Sequence, residues 1–221
     1  MSSTGVPRPR EERTAVSSAG TSLKRGDLSP DPVEQFGRWF AEAEADPRIV
    51  FAEAVCLSTL GPGDTPEGRM VLLKHFDERG FVFYTNLASA KSRSLAAHAR
   101  AGLTFYWQPL GRQVRVRGAV ETVSAAEADA YFASRPRGSR LGAWASDQSR
   151  VLANREALEA RLAGLEARYA DREVPRPPHW SGYRVVPEAV EFWQEGAARL
   201  HDRFRYRRRG AGGWEVRRLY P

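Results

Sequence analysis

A mainly β fold with peripheral helices is what this sequence predicts, and three observations carry it. Apolar runs of strand length follow one another from residue 54 to residue 123, several of them joined by short turns. VRVRGAV puts Val114, Val116 and Gly118 on one side and Arg115 and Arg117 on the other, the period of a strand with one wet face. Helical patterns are inserted between groups of strands instead of alternating with each strand, which argues against a parallel doubly wound sheet. The arrangement points to an antiparallel barrel with helices around it.

Each element has its own signals. Residues 1–26, rich in Ser, Thr, Gly, Pro and charge, read as a flexible tail, and 27–221 as one domain. In DPVEQFGRWFAEAEA, Asp31 is a good N-cap, Pro32 suits the first helical position, and Val33, Phe36, Trp39 and Phe40 keep helical spacing. AVCLSTL (54–60), RMVLLKHF (69–76) and FVFYTN (81–86) are strand-like, and DERG with Gly80 makes a tight turn between the last two. Ser89 can cap a short helix. LTFYWQ (103–108) and RQVRVRGAVETV (112–123) flank a Pro-Leu-Gly turn. SAAEADAYFASRP opens with a capping box, Ser124 and Glu127, and stops before Pro136. Leu158, Leu162, Leu165 and Tyr169 form an apolar helical stripe. GYRVVPEAVEFWQ, LHDRFRYRR and GWEVRRLYP give three further strand runs.

Composition excludes several classes. With 42% hydrophobic and 28% charged residues in 221, the chain can bury a sizeable core. A single cysteine, Cys56, allows no internal disulfide. No run approaches the roughly 20 apolar residues of a membrane helix. The N-terminal residues carry no signal-peptide core, so a cytoplasmic location is expected. There is no GxGxxG and no Walker loop, and the four His and one Cys lack metal-ligand spacing. The net charge of +7 is concentrated late: residues 199–221 hold eight Arg against Asp202 and Glu215. A basic end of this kind can bind nucleic acid or hold the phosphates of a small ligand.

Scattered cations sharpen the second option. Arg69 and Lys74 fence one strand run, and residues five apart on a regular strand point to opposite faces. Either the strand bends there, or the two cations serve two parts of one ligand. Lys91 lies at a helix start, where backbone N–H groups already attract anions. Gln113 sits between Arg112 and Arg115. YFASRPRGSRLGAWASDQS reads as one irregular stretch holding Tyr131, Arg135, Ser139, Gln148 and Ser149, and Arg with hydroxyls suits a phosphate monoester. EFWQEGAARLHDRF supplies Trp193, Arg199, His201 and Arg203. On residues alone, His201 could simply pair with Asp202 or a backbone carbonyl. Trp39, Trp107, Trp144, Trp180 and Trp214 read as packing.

Four of these stretches, RMVLLKHFDERGFVFYTN, GRQVRVRG, YFASRPRGSRLGAWASDQS and EFWQ…RLHDRFRYRR, resemble the pyridoxine (pyridoxamine) 5'-phosphate oxidases, in order and from about Asp27 to Pro221. The resemblance implies an FMN-binding split β-barrel, a homodimer with FMN between subunits, and neither nucleic acid nor membrane as partner. It implies oxidation of pyridoxine or pyridoxamine 5'-phosphate with dioxygen as acceptor; a same-fold flavin oxidase or dehydrogenase acting on another metabolite is the alternative. Carried over by motif, FMN contacts fall on Arg69, Met70, Val71, Leu72, Leu73, Lys74, Tyr84, Thr85, Lys91, Gln113, Gln148, Ser149, Trp193 and Arg203. Substrate contacts fall on Lys74, Tyr131, Arg135, Ser139, Arg199, Leu200 and His201, with Arg199 and His201 in the catalytic role. No metal is expected. The chain departs from the family pattern at Ala90, where an Arg often precedes the helix Lys, and in ERTAVSSAGTS, which lacks the family's N-terminal Arg-Arg-Glu-Tyr-like segment.

Overall fold

The structure, a computed structural model, describes residues 22–210 and 212–221; most of the expected tail, residues 1–21, lies outside them. Ser22 and Leu23 pack against the domain, while residues 24–27 are exposed. Leu23 is buried and its N–H donates to Asp202 Oδ2 (2.8 Å).

Helix α1, Pro32–Ala45, starts as its signals require, with Asp31 Oδ1 accepting from Val33 N (2.7 Å) and Glu34 N (3.3 Å). It lays Phe36 and Trp39 onto the sheet. Phe36 is fully buried among Phe76, Phe81 and Phe105, with ring centroids 4.9, 4.9 and 5.0 Å away. Burial of such a side chain contributes about 1.5–3 kcal/mol. Trp107 closes the same core and donates its indole N–H to Ala52 O (2.9 Å).

The strands are β1 Ala54–Leu60, β2 Pro66–Leu72, β3 His75–Asp77, β4 Gly80–Asn86, β5 Arg100–Trp107, β6 Arg112–Thr122, β7 Trp180–Gln194, β8 Asp202–Arg208 and β9 Trp214–Leu219. All pairings are antiparallel, in the order β2-β1-β5-β6-β7-β4-β3, with β8 on β7 and β9 on β8. The two ends of this order, β2 and β3, are consecutive in sequence with only Leu73 and Lys74 between them. The sheet therefore rolls until its edges meet, yet no ladder joins those edges among the described residues. Adjacent backbone N–H groups divide the seam: Leu73 N donates to Glu53 O beside β1 (2.9 Å), and Lys74 N to Val82 O on β4 (2.8 Å).

This corrects the expected strand 69–76. RMVLLKHF is two strands with two partners, so the hairpin through Glu78 and Arg79 joins only β3 to β4. It also resolves how Arg69 and Lys74 relate: the strand breaks between them.

Strand β7 serves two partners as well. Its first half, Trp180–Val185, pairs with β4, and its second, Ala189–Gln194, with β8. Pro187, which has no N–H to give a ladder, sits at the switch, where the β6–β7 register also shifts. A side chain at Gly118 would meet Val186 O at 1.8 Å, so only glycine lets β6 cross this bulge.

Four more helices cover the sheet: α2 Ala90–Ala97, α3 Ala125–Ser134, α4 Arg137–Ala145 and α5 Arg155–Arg168. The Ser124–Glu127 capping box opens α3 as expected. Helix α4 lies where the sequence read as irregular, and it buries Leu141 and Ala145. Among the described residues no helix is long and apolar enough to cross a membrane.

Candidate functional site

A cleft of about 510 Å³ opens between the seam of the rolled sheet and helices α3 and α4. Met70, Val71, Leu72 and Lys74 form one wall, Tyr84 and Thr85 the floor, and Tyr131, Arg135, Ser139 and Gln148 the opposite side with Lys91. Residues far apart in sequence meet here because the seam, the end of β4 and the connection into α4 lie at one end of the barrel.

One end of the cleft is built around Lys91. Its Nζ donates to Gln148 Oε1 (2.7 Å), Thr85 Oγ1 (3.0 Å) and Ser89 Oγ (3.2 Å). No carboxylate pairs with it among the described residues. Burial, and then the nearby Arg69 charge, push its pKa below the ordinary lysine value. A half-buried cation held by neutral oxygens beside a second cation is an environment an anion would relieve. Arg69 does not line the cleft; it is engaged by Glu67 Oε2 (2.5 Å) and Thr59 Oγ1 (2.5 Å). Helix α2 adds its N-terminus to this end. Ser89 stands at the cap, but its hydroxyl faces Ser92 and Lys91, and Ser149 Oγ accepts from Ala90 N instead (3.1 Å). Ser149 holds φ +70°, a conformation that favours glycine, in making this contact.

The other end is built around Arg135, the residue that closes α3. Its guanidinium carbon lies 4.8 Å from the Trp180 ring centroid and 5.5 Å from that of Phe132. Its Nη1 is buried with no hydrogen-bond partner. Burial pushes its pKa down. An unmet charged donor at the wall of a cleft costs free energy unless something enters to accept from it. Between the two ends the rings of Tyr131, Tyr84 and Trp180 run nearly parallel. Tyr84 and Tyr131 are 4.0 Å apart at 17°, and Tyr84 and Trp180 5.3 Å apart at 8°. Burial raises both phenol pKa values, so both hydroxyls stay protonated donors at neutral pH. Ser139 is exposed on α4, and Lys74 Nζ is 3.8 Å from Glu53 Oε1.

Not every expected residue faces this cleft. The Leu73 side chain is in the core. Gln113, Trp193 and Arg203 stand in one register row across β6, β7 and β8, outside the cleft of their own chain. His201 joins that row, its ring 4.6 Å from Trp193. His201 Nδ1 accepts from Gly196 N (3.2 Å), which leaves the ring proton on Nε2. It does not pair with Asp202, which takes Ser22 Oγ, Leu23 N and Arg218 instead. Arg203 is held by Glu191 Oε1 (2.8 Å) and Tyr220 O (3.0 Å). Ala198 and Arg199 both have positive φ, +52° and +61°, a strained pair that presents Arg199 and the 71% exposed Leu200 outward.

Sequence reasoning missed Trp180, which it assigned to packing, and Asn86 and Ser146, which line the cleft and bond to each other through Asn86 Nδ2 and Ser146 O (3.1 Å). Arg135, Phe132 and the neighbouring Tyr84 on the paired strand are what distinguish Trp180, and none is near it in sequence.

Residues 33–169 match the family described as pyridoxamine 5'-phosphate oxidase, and residues 180–221 the pyridoxine 5'-phosphate oxidase C-terminal dimerisation region. The pyridoxine/pyridoxamine 5'-phosphate oxidase of Myxococcus xanthus is 52% identical over 99% of this chain and 98% of its own. That of Ralstonia nicotianae is 53% identical over 92% and 95%. PhzG from Burkholderia lata, solved with tetrahydrophenazine-1-carboxylic acid, superposes with TM-score 0.83 at 33% identity over 89% of this chain and 95% of its own. An FMN-binding, oxidase-related protein of Nostoc punctiforme shares the split-barrel fold, with TM-score 0.69 at 17% identity over 88% of this chain and 100% of its own. By identity along nearly its whole length, this chain belongs to the pyridoxine/pyridoxamine 5'-phosphate oxidase family.

Proposed function

We propose that the chain oxidises pyridoxine 5'-phosphate to the aldehyde, or pyridoxamine 5'-phosphate to an imine that water converts to the aldehyde with release of ammonia, with FMN bound in the cleft and completed by a second copy of the chain. The observation that carries this reading is the pair of cations at the two ends of one cleft, Lys91 without a carboxylate partner and Arg135 with a buried, unpartnered Nη1. Two anionic groups with flat rings between them suit such a cleft.

The residues present fit FMN. Lys91, Thr85 and the start of α2 would hold its phosphate, with Arg69 adding charge nearby. The exposed side chains of Met70 and Leu72 and the backbone between them would face its ring. FMN, when bound, supplies the two-electron acceptor for the substrate hydride and is reoxidised by dioxygen to give hydrogen peroxide. Arg135, Tyr131 and Ser139 would bind the substrate phosphate by charge-assisted and hydroxyl hydrogen bonds. Lys74, at the break between β2 and β3, would stand where the two rings meet. The row Gln113–Trp193–Arg203, with Arg199 and His201, would come from the partner copy, consistent with the match of residues 180–221 to a dimerisation region. His201, with its proton on Nε2, can donate to or exchange a proton with the substrate's C4' substituent, and Arg199 can orient it.

The likeness to PhzG favours a second reading, a flavin oxidase acting on a carboxylated aromatic metabolite, since Arg135 would also accept a carboxylate. Mixing the FMN-loaded protein anaerobically with each candidate separates them. Loss of flavin absorbance with pyridoxine or pyridoxamine 5'-phosphate is expected. Bleaching only by a tetrahydrophenazine carboxylate would establish the second reading in place of the first.

A further inference from the structure

The reading above leaves one buried charge unused. Arg184, on β7, is 2% exposed. Burying a guanidinium that deep is costly unless partners surround it. It has three, each from a different element. Nη2 donates to Glu127 Oε1 in the first turn of α3 (2.6 Å), and Nη1 to Asp77 Oδ1 at the end of β3 (3.0 Å). Nε lies 3.5 Å from Glu121 Oε1 on β6. Arg79 reinforces the cluster from the turn after β3, 2.6 Å from Asp77 and 3.2 Å from Glu127.

Glu127 has a second task. Its carboxylate accepts from Ser124 N (3.1 Å) while Ser124 Oγ accepts from Glu127 N (3.2 Å). One side chain thus caps the start of the helix and ties it to β7. Glu127, Tyr131 and Arg135 are spaced four apart, one stripe along α3. The clamp is therefore at the foot of the stripe whose other members line the cleft. Strand β4 is fixed by the same ladder: Val82 pairs with Arg184 and Tyr84 with Gly182. A Cβ at Gly182 would meet the Tyr84 ring at 2.8 Å, so that ring lies close on the strand with Tyr131 stacked on it.

We propose that Arg184 is a positioning residue for the substrate-phosphate end of the cleft, setting through Glu127 where α3 places Tyr131 and Arg135. The inference rests on the oxidase reading for what binds at that end. It gives Arg184 no contact with FMN, whose phosphate end is built from α2 and β4. A lysine cannot replace it, because a single ammonium on a flexible stem does not bridge three carboxylates in a plane.

Two variants of the FMN-loaded protein test this. Glu127→Gln keeps the capping box, which glutamine also forms, and weakens the pairing with Arg184 and with the more exposed Arg79. Arg184→Lys keeps the charge and loses the bridge. Both are expected to raise KM for the phosphorylated substrate, Arg184→Lys by about tenfold, with kcat, FMN affinity and KM for unphosphorylated pyridoxine held. Unchanged KM in folded Arg184→Lys, or parallel loss of FMN affinity and kcat, would overturn the proposal. Amide exchange gives a readout that needs no turnover. Residues 125–135 should exchange faster in Arg184→Lys while α5 does not change, and unaltered exchange there would equally overturn it. If the wild type oxidises neither phosphate, the oxidase reading falls and the exchange result still judges Arg184.

Discussion

Lys91 and Arg135 reach one cleft from within a single chain, whereas Trp193 and Arg203 pair on neighbouring strands outside it, with the His201 ring against Trp193. The first pair is set by short helices and the end of β4, held by neutral hydrogen bonds and a tryptophan face. The second group is set by a ladder row and by two strained residues, Ala198 and Arg199, that turn the chain outward. Lys91 and Arg135 are thus placed by local packing, whereas on the proposed reading Trp193, Arg203 and His201 would be delivered to the other copy's cleft by symmetry. A two-fold dimer places one surface patch of each copy against the other, so both clefts can be completed at once.

The sharpest way to break this comparison is to divide the two regions between copies. A chain carrying Lys91→Ala and Arg135→Ala, and another carrying Trp193→Ala and Arg203→Ala, should each be nearly inactive. Unfolded and refolded together, they should regain about a quarter of wild-type activity, because half of the dimers then hold one intact site of two. No recovery in mixed dimers would place both regions in one chain's site.

Smaller effects sharpen the division of labour. His201→Ala should retain FMN, as judged by bound flavin absorbance, and lose about a hundredfold in kcat, the lower range for a proton-handling group. Wild-type turnover in that variant would remove His201 from the chemistry. Arg135→Ala should act mainly on KM for the phosphorylated substrate, raising it by about tenfold, since it removes binding common to ground and transition states. A fall in kcat with KM unchanged would mean that Arg135 acts on the reacting centre instead.

Legibility followed range. Asp31 with Pro32, and Ser124 with Glu127, are signals contained within a few residues, and both helices start where those signals stand. The break at Leu73–Lys74 is legible only as one of two options, raised by the five-residue spacing of Arg69 and Lys74, because RMVLLKHF is otherwise an unbroken strand pattern and the switch of partner from Glu53 to Val82 leaves no local mark. Helix α4 was hidden by Gly138 and Gly142, although Leu141, Trp144 and Ala145 carry helical spacing. Trp180 was read as packing because an aromatic in a strand run has that meaning until Arg135 is seen above it. Arg184 is one arginine among many in the sequence, and only its burial in the fold distinguishes it.

Local sequence signals specify the starts of α1 and α3, most of the strand runs, the tight turn at Gly80 and the cationic and hydroxyl side chains suited to a phosphorylated ligand. These depend on backbone hydrogen bonding and conformational preference over a few residues, which composition and order specify directly. Which strands pair, where the sheet's two edges come together at Leu73–Lys74, and that Lys91 and Arg135 share a cleft while His201 lies outside it are settled only in the folded molecule. Those choices are made by burying apolar faces drawn from the whole chain, and the energy that settles them is not stored in any one segment.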